Sequence, residues 1–357
     1  MTVAETIGVG VVGLGRISDN HITGYAALDR AEVVALCDVR PDRVADAVER
    51  HGLDAAFATT DFAELLARDD VQAVSLALPD HLHRDFTLQA IAAGKHVLCE
   101  KPLAMNASEA EEMLEAAEQA GVVHAVHMQR RYAPSVRYIR DLVTEGFLGE
   151  LRHFRCRMSV HRISDPDVRL EWRLQAERGC YGVLGDLGAH ALDLAHFTMG
   201  ESAGEMVAAV GMGAIFIERR RLEDADGSGE VTAWDAINVA NRYETGVLGS
   251  YQLSRFSPGY SGFEIDGQEA SVAVRGDDPG GAIMVYERRP RDDQIPASEY
   301  AGREIPERYR DGQTLFGSFM DAILQGGEAS PSFADGLRVA RELDSIHEAA
   351  LSQAQHK

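Results

Sequence analysis

The sequence predicts an α/β fold in two parts: a parallel sheet covered on both faces by helices, then an α+β region with a large, mostly antiparallel open sheet. Three observations support this. A chain of 357 residues exceeds what one core usually organises. A glycine-dense turn follows the first apolar run, and the alternation of strands and helices gives way to successive strands beyond about Arg130.

Ile7, Val9, Val11 and Val12 predict a buried strand. Gly13 and Gly15 then permit a tight turn and close approach of backbone to a ligand, and Ser18 stands at the third position of G-x-G-x-x-S, where a small residue suits helix–strand packing. The helix after this turn would aim N–H groups at an anion. A second strand, Glu32–Cys37, ends in Asp38, twenty residues after Ser18, the separation at which a carboxylate can accept from an adenosine ribose. Capping of the helix begun by Pro41 is the plainer reading of Asp38. Strand, turn, helix, strand and acid together favour nucleotide binding.

Helices near Pro41–His51, His83–Ala93 and Ser108–Ala120 alternate with strands at Val71–Leu78, His96–Cys99 and Val122–His127. The change of pattern divides the chain into a nucleotide-binding part, residues 1–128, and an α+β part, residues 129–357. After a helix near Pro134–Glu145, strands are expected at Leu151–Val160, Val207–Ile217, Val231–Tyr243, Gly246–Phe256, Ser261–Ile265, Ser271–Arg275 and Ala282–Glu287. Amphipathic segments Thr314–Leu324 and Phe333–Leu351 predict closing helices, able to pack back on the first part.

A net charge of -22 argues against a nucleic-acid surface, and the basic runs Arg219–Arg221 and Arg288–Arg291, flanked by acids, read as solvated faces. The start MTVAETIG has no signal-peptide pattern and no run of about 18 apolar residues occurs, so no membrane partner and a cytoplasmic location are expected. Cys37, Cys99, Cys156 and Cys180 form no CxxC pair, so neither disulfides nor a metal site is expected.

Leu98–Leu103 ends a strand with Glu100, Lys101 and Pro102, and strand ends in such a sheet face the ligand crevice; as a tripeptide it is also an ordinary strand exit. In Gly182–Asp193 the spacing of Asp186, His190 and Asp193 puts all three on one helical stripe, where a carboxylate one turn away can orient an imidazole for proton transfer. A polar helix face or a satisfied histidine is the plainer alternative, and a metal there lacks a third neutral ligand.

GLGRISDNH at Gly13–His21, PDHLH at Pro79–His83, EKP at Glu100–Pro102, WR at Trp172–Arg173 and DLGAHALD at Asp186–Asp193 together resemble the Gfo/Idh/MocA family, the glucose-fructose oxidoreductase and inositol dehydrogenase relatives. The resemblance implies a Rossmann NAD(P)-binding domain over residues 1–128, a substrate-binding and oligomerisation domain over 129–357, and NAD-dependent hydride transfer at a hydroxyl-bearing carbon of a sugar or cyclitol, in a homodimer or homotetramer. It assigns Lys101, Asp186 and His190 to catalysis, and Gly13, Gly15, Arg16, Ile17, Asp38, Pro79, His83, Glu100 and Lys101 to the cofactor. Arg131, Tyr132, Trp172 and Arg173, with His190, fall to the substrate. Asp38 favours NAD, while Arg40 and Arg43 leave NADP open. GCYG at Gly179–Gly182 departs from the family's small residues and bears on pocket shape. An NAD-dependent glycoside hydrolase of the same family and a non-catalytic NAD-binding regulator are the alternatives.

Overall fold

The computed structural model describes residues 6–222, 226–275, 282–287 and 301–354. In chain order its helices and strands are β1 (Ile7–Val12), α1 (Ser18–Ala26), β2 (Ala31–Cys37), α2 (Pro41–His51), β3 (Phe57–Thr59), α3 (Phe62–Leu66), β4 (Ala73–Leu76), α4 (His83–Ala92), β5 (His96–Cys99), α5 (Ala107–Ala120) and β6 (His124–Val126). There follow α6 (Pro134–Thr144), β7 (Leu151–Ser159), α7 (Ala189–Met199), β8 (Met206–Ala214), β9 (Arg219–Arg221), β10 (Ser228–Glu230), β11 (Ala236–Tyr243) and β12 (Leu248–Ser254). The chain closes with β13 (Tyr260–Gly267), β14 (Ala270–Arg275), β15 (Ala282–Glu287), β16 (Ala301–Glu304), α8 (Leu315–Gln325) and α9 (Phe333–Ala354).

Two compact units emerge, one of Met1–Met128 with Gln313–Ala340 and the other of Gln129–Gly312 with Arg341–Lys357. The first holds a six-stranded parallel sheet in the order β3-β2-β1-β4-β5-β6. Its central strands are apolar on both faces because helices cover both: every residue of β1 and β4 is buried. Helix entry is chemically marked. Asn106 Oδ1 accepts from the Glu109 N–H at 2.9 Å while Glu109 reaches back to the Met105 N–H at 3.1 Å, a reciprocal cap on α5. β3 and α3 have no counterpart in the sequence reading, being too short to show periodicity.

The second unit carries an eight-stranded sheet in the order β16-β15-β14-β13-β7-β12-β11-β8. It is mixed and mostly antiparallel, the one parallel pair being β7 with β12. Alternation decides which face is core. Phe154, Cys156 and Met158 of β7, Ile237 and Val239 of β11, and Tyr251 and Leu253 of β12 are buried on one face. Arg155 and Arg157, Asn238, Gln252 and Glu264 occupy the opposite face.

Two readings are corrected here. Arg219–Arg221 is not wholly a solvated run: it forms β9, and Arg220 is only 2% exposed. Its guanidinium donates to the carbonyls of Asp165 at 2.8 Å, Val168 at 3.0 Å and Ile163 at 2.5 Å, which supplies the acceptors a buried cation requires. The sequence interval Gly182–Asp193 is not one α-helix either. Leu184–Gly188 is a π-helical turn leading into α7. Gly185 is required there, because a Cβ would collide with the Cys180 carbonyl. The run Arg288–Arg291 lies outside the described residues. All four cysteines are buried and none is in a disulfide. No helix among the described residues is long and apolar enough to cross a membrane.

Candidate active-site residues

In the first unit the glycine turn follows β1 directly. Gly13 has φ of +85°, and a Cβ there would sit 2.6 Å from the Ala77 carbonyl oxygen, so both conformation and space require glycine. A Cβ at Gly15 would meet nothing within 4 Å, which leaves open room beside the turn. Arg16 and Ile17 lead from it into α1, whose first residue Ser18 is buried and donates to the Gly15 carbonyl at 2.6 Å. Asp38 does not cap α2. Its Oδ2 accepts from the Leu14 N–H at 2.7 Å and its Oδ1 from the Arg40 N–H at 2.9 Å, which ties the end of β2 to the glycine turn. Open space at Gly15, a helix N-terminus and a carboxylate at the second strand fit a dinucleotide.

Pro79 and His83 lie past the end of β4. His83 is buried, with Nδ1 donating to the Pro102 carbonyl at 2.8 Å and Nε2 to the Leu78 carbonyl at 2.9 Å. Carbonyls only accept, so the ring donates from both nitrogens as an imidazolium. Burial presses its pKa down, while Cys99, Asp80 and the Leu78 carbonyl raise it to about 10. Lys101, half-buried, follows β5. Glu100 is turned inward, its Oε1 accepting from His21 at 3.0 Å and His127 at 2.6 Å.

Asp186, His190 and the remaining candidates belong to the second unit. Asp186 sits in the π-turn, half-buried, and His190 in the first turn of α7, buried. The expected stripe divides. Asp186 Oδ2 accepts from Arg255 Nη2 at 3.2 Å, whereas Asp193 takes Arg131: Oδ1 accepts from Nε at 2.8 Å and Nη2 at 2.5 Å, and Oδ2 from Nε at 3.0 Å. Arg131 is buried, so its guanidinium braces α7 from the Gln129–Tyr132 turn that also carries the half-buried Tyr132. Arg173 stacks over the Trp172 ring at 4.1 Å, and its carbonyl accepts from Arg255 Nη1 at 2.9 Å. Arg255 thus joins the Trp172–Arg173 turn to Asp186. The sequence reading missed it, since an arginine ending a strand carries no local signal. Tyr181 has a left-handed φ of +51°, held by its hydroxyl on Asp344 at 2.8 Å and its ring stacked on His347 at 4.1 Å.

Residues 7–128 match the family described as "Oxidoreductase family, NAD-binding Rossmann fold", and 136–273 match the GFO/IDH/MocA C-terminal domain. The chain belongs to the Gfo/Idh/MocA oxidoreductase family. It is 30% identical to levoglucosan dehydrogenase of Pseudarthrobacter phenanthrenivorans (strain DSM 18606 / JCM 16027 / LMG 23796 / Sphe3), over 98% of this chain and 97% of the relative. Myo-inositol 2-dehydrogenase of Thermotoga maritima (strain ATCC 43589 / DSM 3109 / JCM 10099 / NBRC 100826 / MSB8) is 30% identical over 69% of this chain and 68% of its own. A solved levoglucosan dehydrogenase in complex with NADH and levoglucosan superimposes with a TM-score of 0.87 at 27% identity, covering 98% of both chains.

Membership in the Gfo/Idh/MocA family makes the protein an NAD-dependent oxidoreductase acting on CH–OH groups. Residues 7–128, within the first unit, are its NAD-binding Rossmann part. The glycine turn and Asp38 are the parts of that unit whose local geometry suits the cofactor.

Proposed function

We propose that the protein is a dehydrogenase or reductase of a small carbohydrate or cyclitol, with Lys101, Asp186 and His190 as its catalytic groups. NAD supplies a hydride acceptor or donor. His190 takes the hydroxyl proton in oxidation and returns it in reduction, Asp186 orients the imidazole, and Lys101 donates to the reacting oxygen and offsets its developing negative charge. The observation that carries the reading is the anchorage of Asp186, whose carboxylate is fixed by Arg255 one turn before His190.

The substrate class follows from similarity along almost the whole chain to levoglucosan dehydrogenase and, at 29% identity, to 1,5-anhydro-D-fructose reductase of Ensifer adhaerens. The two are named for levoglucosan and for 1,5-anhydro-D-fructose, so these sugars head the panel of candidates. Gly13, Gly15, Arg16, Ile17, Asp38, Pro79 and His83 form the proposed cofactor set, and Tyr132, Trp172 and Arg173 the substrate set. For Arg131 the geometry supports a bracing role through Asp193. The test is a panel of levoglucosan, 1,5-anhydro-D-fructose, myo-inositol and free hexoses with oxidised and reduced NAD and NADP, read at the nicotinamide absorbance band. No absorbance change with any of them, in a protein that binds NAD, would overturn the reading.

A further inference from the structure

Inside the first unit lies a chain of buried polar groups with no part in the chemistry above. Tyr25 donates its hydroxyl proton to Ser75 Oγ at 3.2 Å, and Ser75 lies 2.7 Å from His21 Nδ1. With Ser75 donating, His21 carries its proton on Nε2 and gives it to Glu100 Oε1. His127 Nδ1 donates to the same oxygen, and the other carboxylate oxygen accepts the backbone N–H of Lys101 at 3.1 Å. Phe316 of α8 closes over His21, Tyr25 and His127 at ring separations of 5.6, 4.8 and 5.3 Å.

Two readings of this cluster compete. His21, Glu100 and His127 place ligand-type atoms within 4.8 Å of one another, as a metal site would. Ligand atoms of a tetrahedral zinc with bonds near 2.0–2.1 Å stand roughly 3.3 Å apart. The observed 2.6 and 3.0 Å are hydrogen-bond separations instead. Burial pushes the Glu100 carboxyl upward, and His127 with His21 more than reverses this, holding it well below the usual carboxylate range. The second oxygen of this firmly fixed carboxylate accepts from the Lys101 N–H.

We infer that Glu100 is a positioning residue for Lys101: held by His21 and His127, it fixes the Lys101 peptide and so the direction in which the lysine side chain leaves the end of β5. The carbonyl of Pro102 is pinned by His83 on the other side, so the backbone is held both before and after the lysine. The inference rests on Lys101 acting in the proposed reaction. Glu100→Gln keeps the shape but turns an NH₂ group toward one of three donors, which breaks the arrangement.

Amide hydrogen exchange at Lys101 in the protein without substrate gives a readout independent of turnover, and at least about tenfold faster exchange is expected in Glu100→Gln. Turnover per NAD-binding site, on the sugar found by the panel, should fall about 10- to 100-fold with NAD affinity unchanged. In a Lys101→Ala background, Glu100→Gln should cost nothing more. Unchanged exchange, or a loss that persists in full in that background, overturns the inference. Should Glu100→Gln fail to fold, His127→Asn, which keeps a donor near the Nδ1 position, is expected to preserve turnover that His127→Leu loses; equal losses overturn it. Wild-type turnover in Lys101→Ala overturns the role of Lys101 itself, whereas loss there beside an unaffected Glu100→Gln overturns the positioning role alone.

Discussion

Arg255 donates from Nη2 to Asp186 and from Nη1 to the carbonyl of Arg173, so one buried guanidinium fixes both the proposed orienting carboxylate and the Trp172–Arg173 turn. Arg255→Leu is expected to lower turnover at least about tenfold with NAD affinity intact, since Asp186 and the Arg173 carbonyl both lose the donor that holds them. Arg255→Lys should recover little, because a single ammonium cannot serve both acceptors. Steady-state kinetics beside NAD titration check this.

Lys101→Ala and His190→Ala should each remove about 10²- to 10⁴-fold of turnover while NAD binding stays near wild type. Asp186→Asn should lose activity as well, by misorienting His190. Near-wild-type turnover in His190→Ala would sink the mechanism and turn attention to Tyr132 as proton carrier.

NAD should bind more tightly than NADP. Asp38 stands at the end of β2 as a buried residue, 6% exposed, and Arg40 is engaged with Asp42 at 2.6 and 3.2 Å. A 2′-phosphate would face that carboxylate. Calorimetric titration of both cofactors decides it, and tighter NADP binding would shift the role to Arg40 or Arg43.

Acid should destabilise the first unit through His21. Burial, then His127, lowers its pKa below the ordinary value, although Glu100 raises it. The unfolded chain therefore binds the proton first, and the stability contribution is complete above about pH 6.5 and lost as pH falls below it. Glu100, also depressed, extends the loss into the carboxylate range. The unfolding midpoint should drop from pH 7 to pH 4, and a flat profile over that window would contradict the assignment.

The solvent face of the eight-stranded sheet should pair with a second copy. Arg155 meets Glu264 and Asp266 there, while Val210, Met212 and Leu248 are 53%, 68% and 50% exposed at one side. Light scattering at micromolar concentration is expected to give a dimer or tetramer, which Val210→Glu with Met212→Glu should dissociate. A monomeric wild-type protein would refute this.

What the sequence made legible was local. β1, the glycine turn and Asp38 lie within one short stretch, and Lys101, Asp186 and His190 sit in motifs that survive without a partner in view. His21, Glu100 and His127 are separated by 79 and 27 residues, and no periodicity connects them. Arg220 looked like its two exposed neighbours because burial of an arginine depends on three carbonyls supplied from another segment. At the π-turn Leu184–Gly188 the Cys180 carbonyl lies where a Cβ of residue 185 would sit, a contact that helical spacing does not encode.

Tyr181 occupies a left-handed backbone position that glycine would fill without cost, and it keeps that position through Asp344 and His347 of α9. The tolerance for a large side chain at this entrance to the Asp186 turn is thus lodged in a helix more than 160 residues further along the chain. Descent with modification should show it: lineages that exchange Tyr181 for glycine release Asp344 and His347 to drift, whereas lineages that keep the tyrosine inherit all three as one unit.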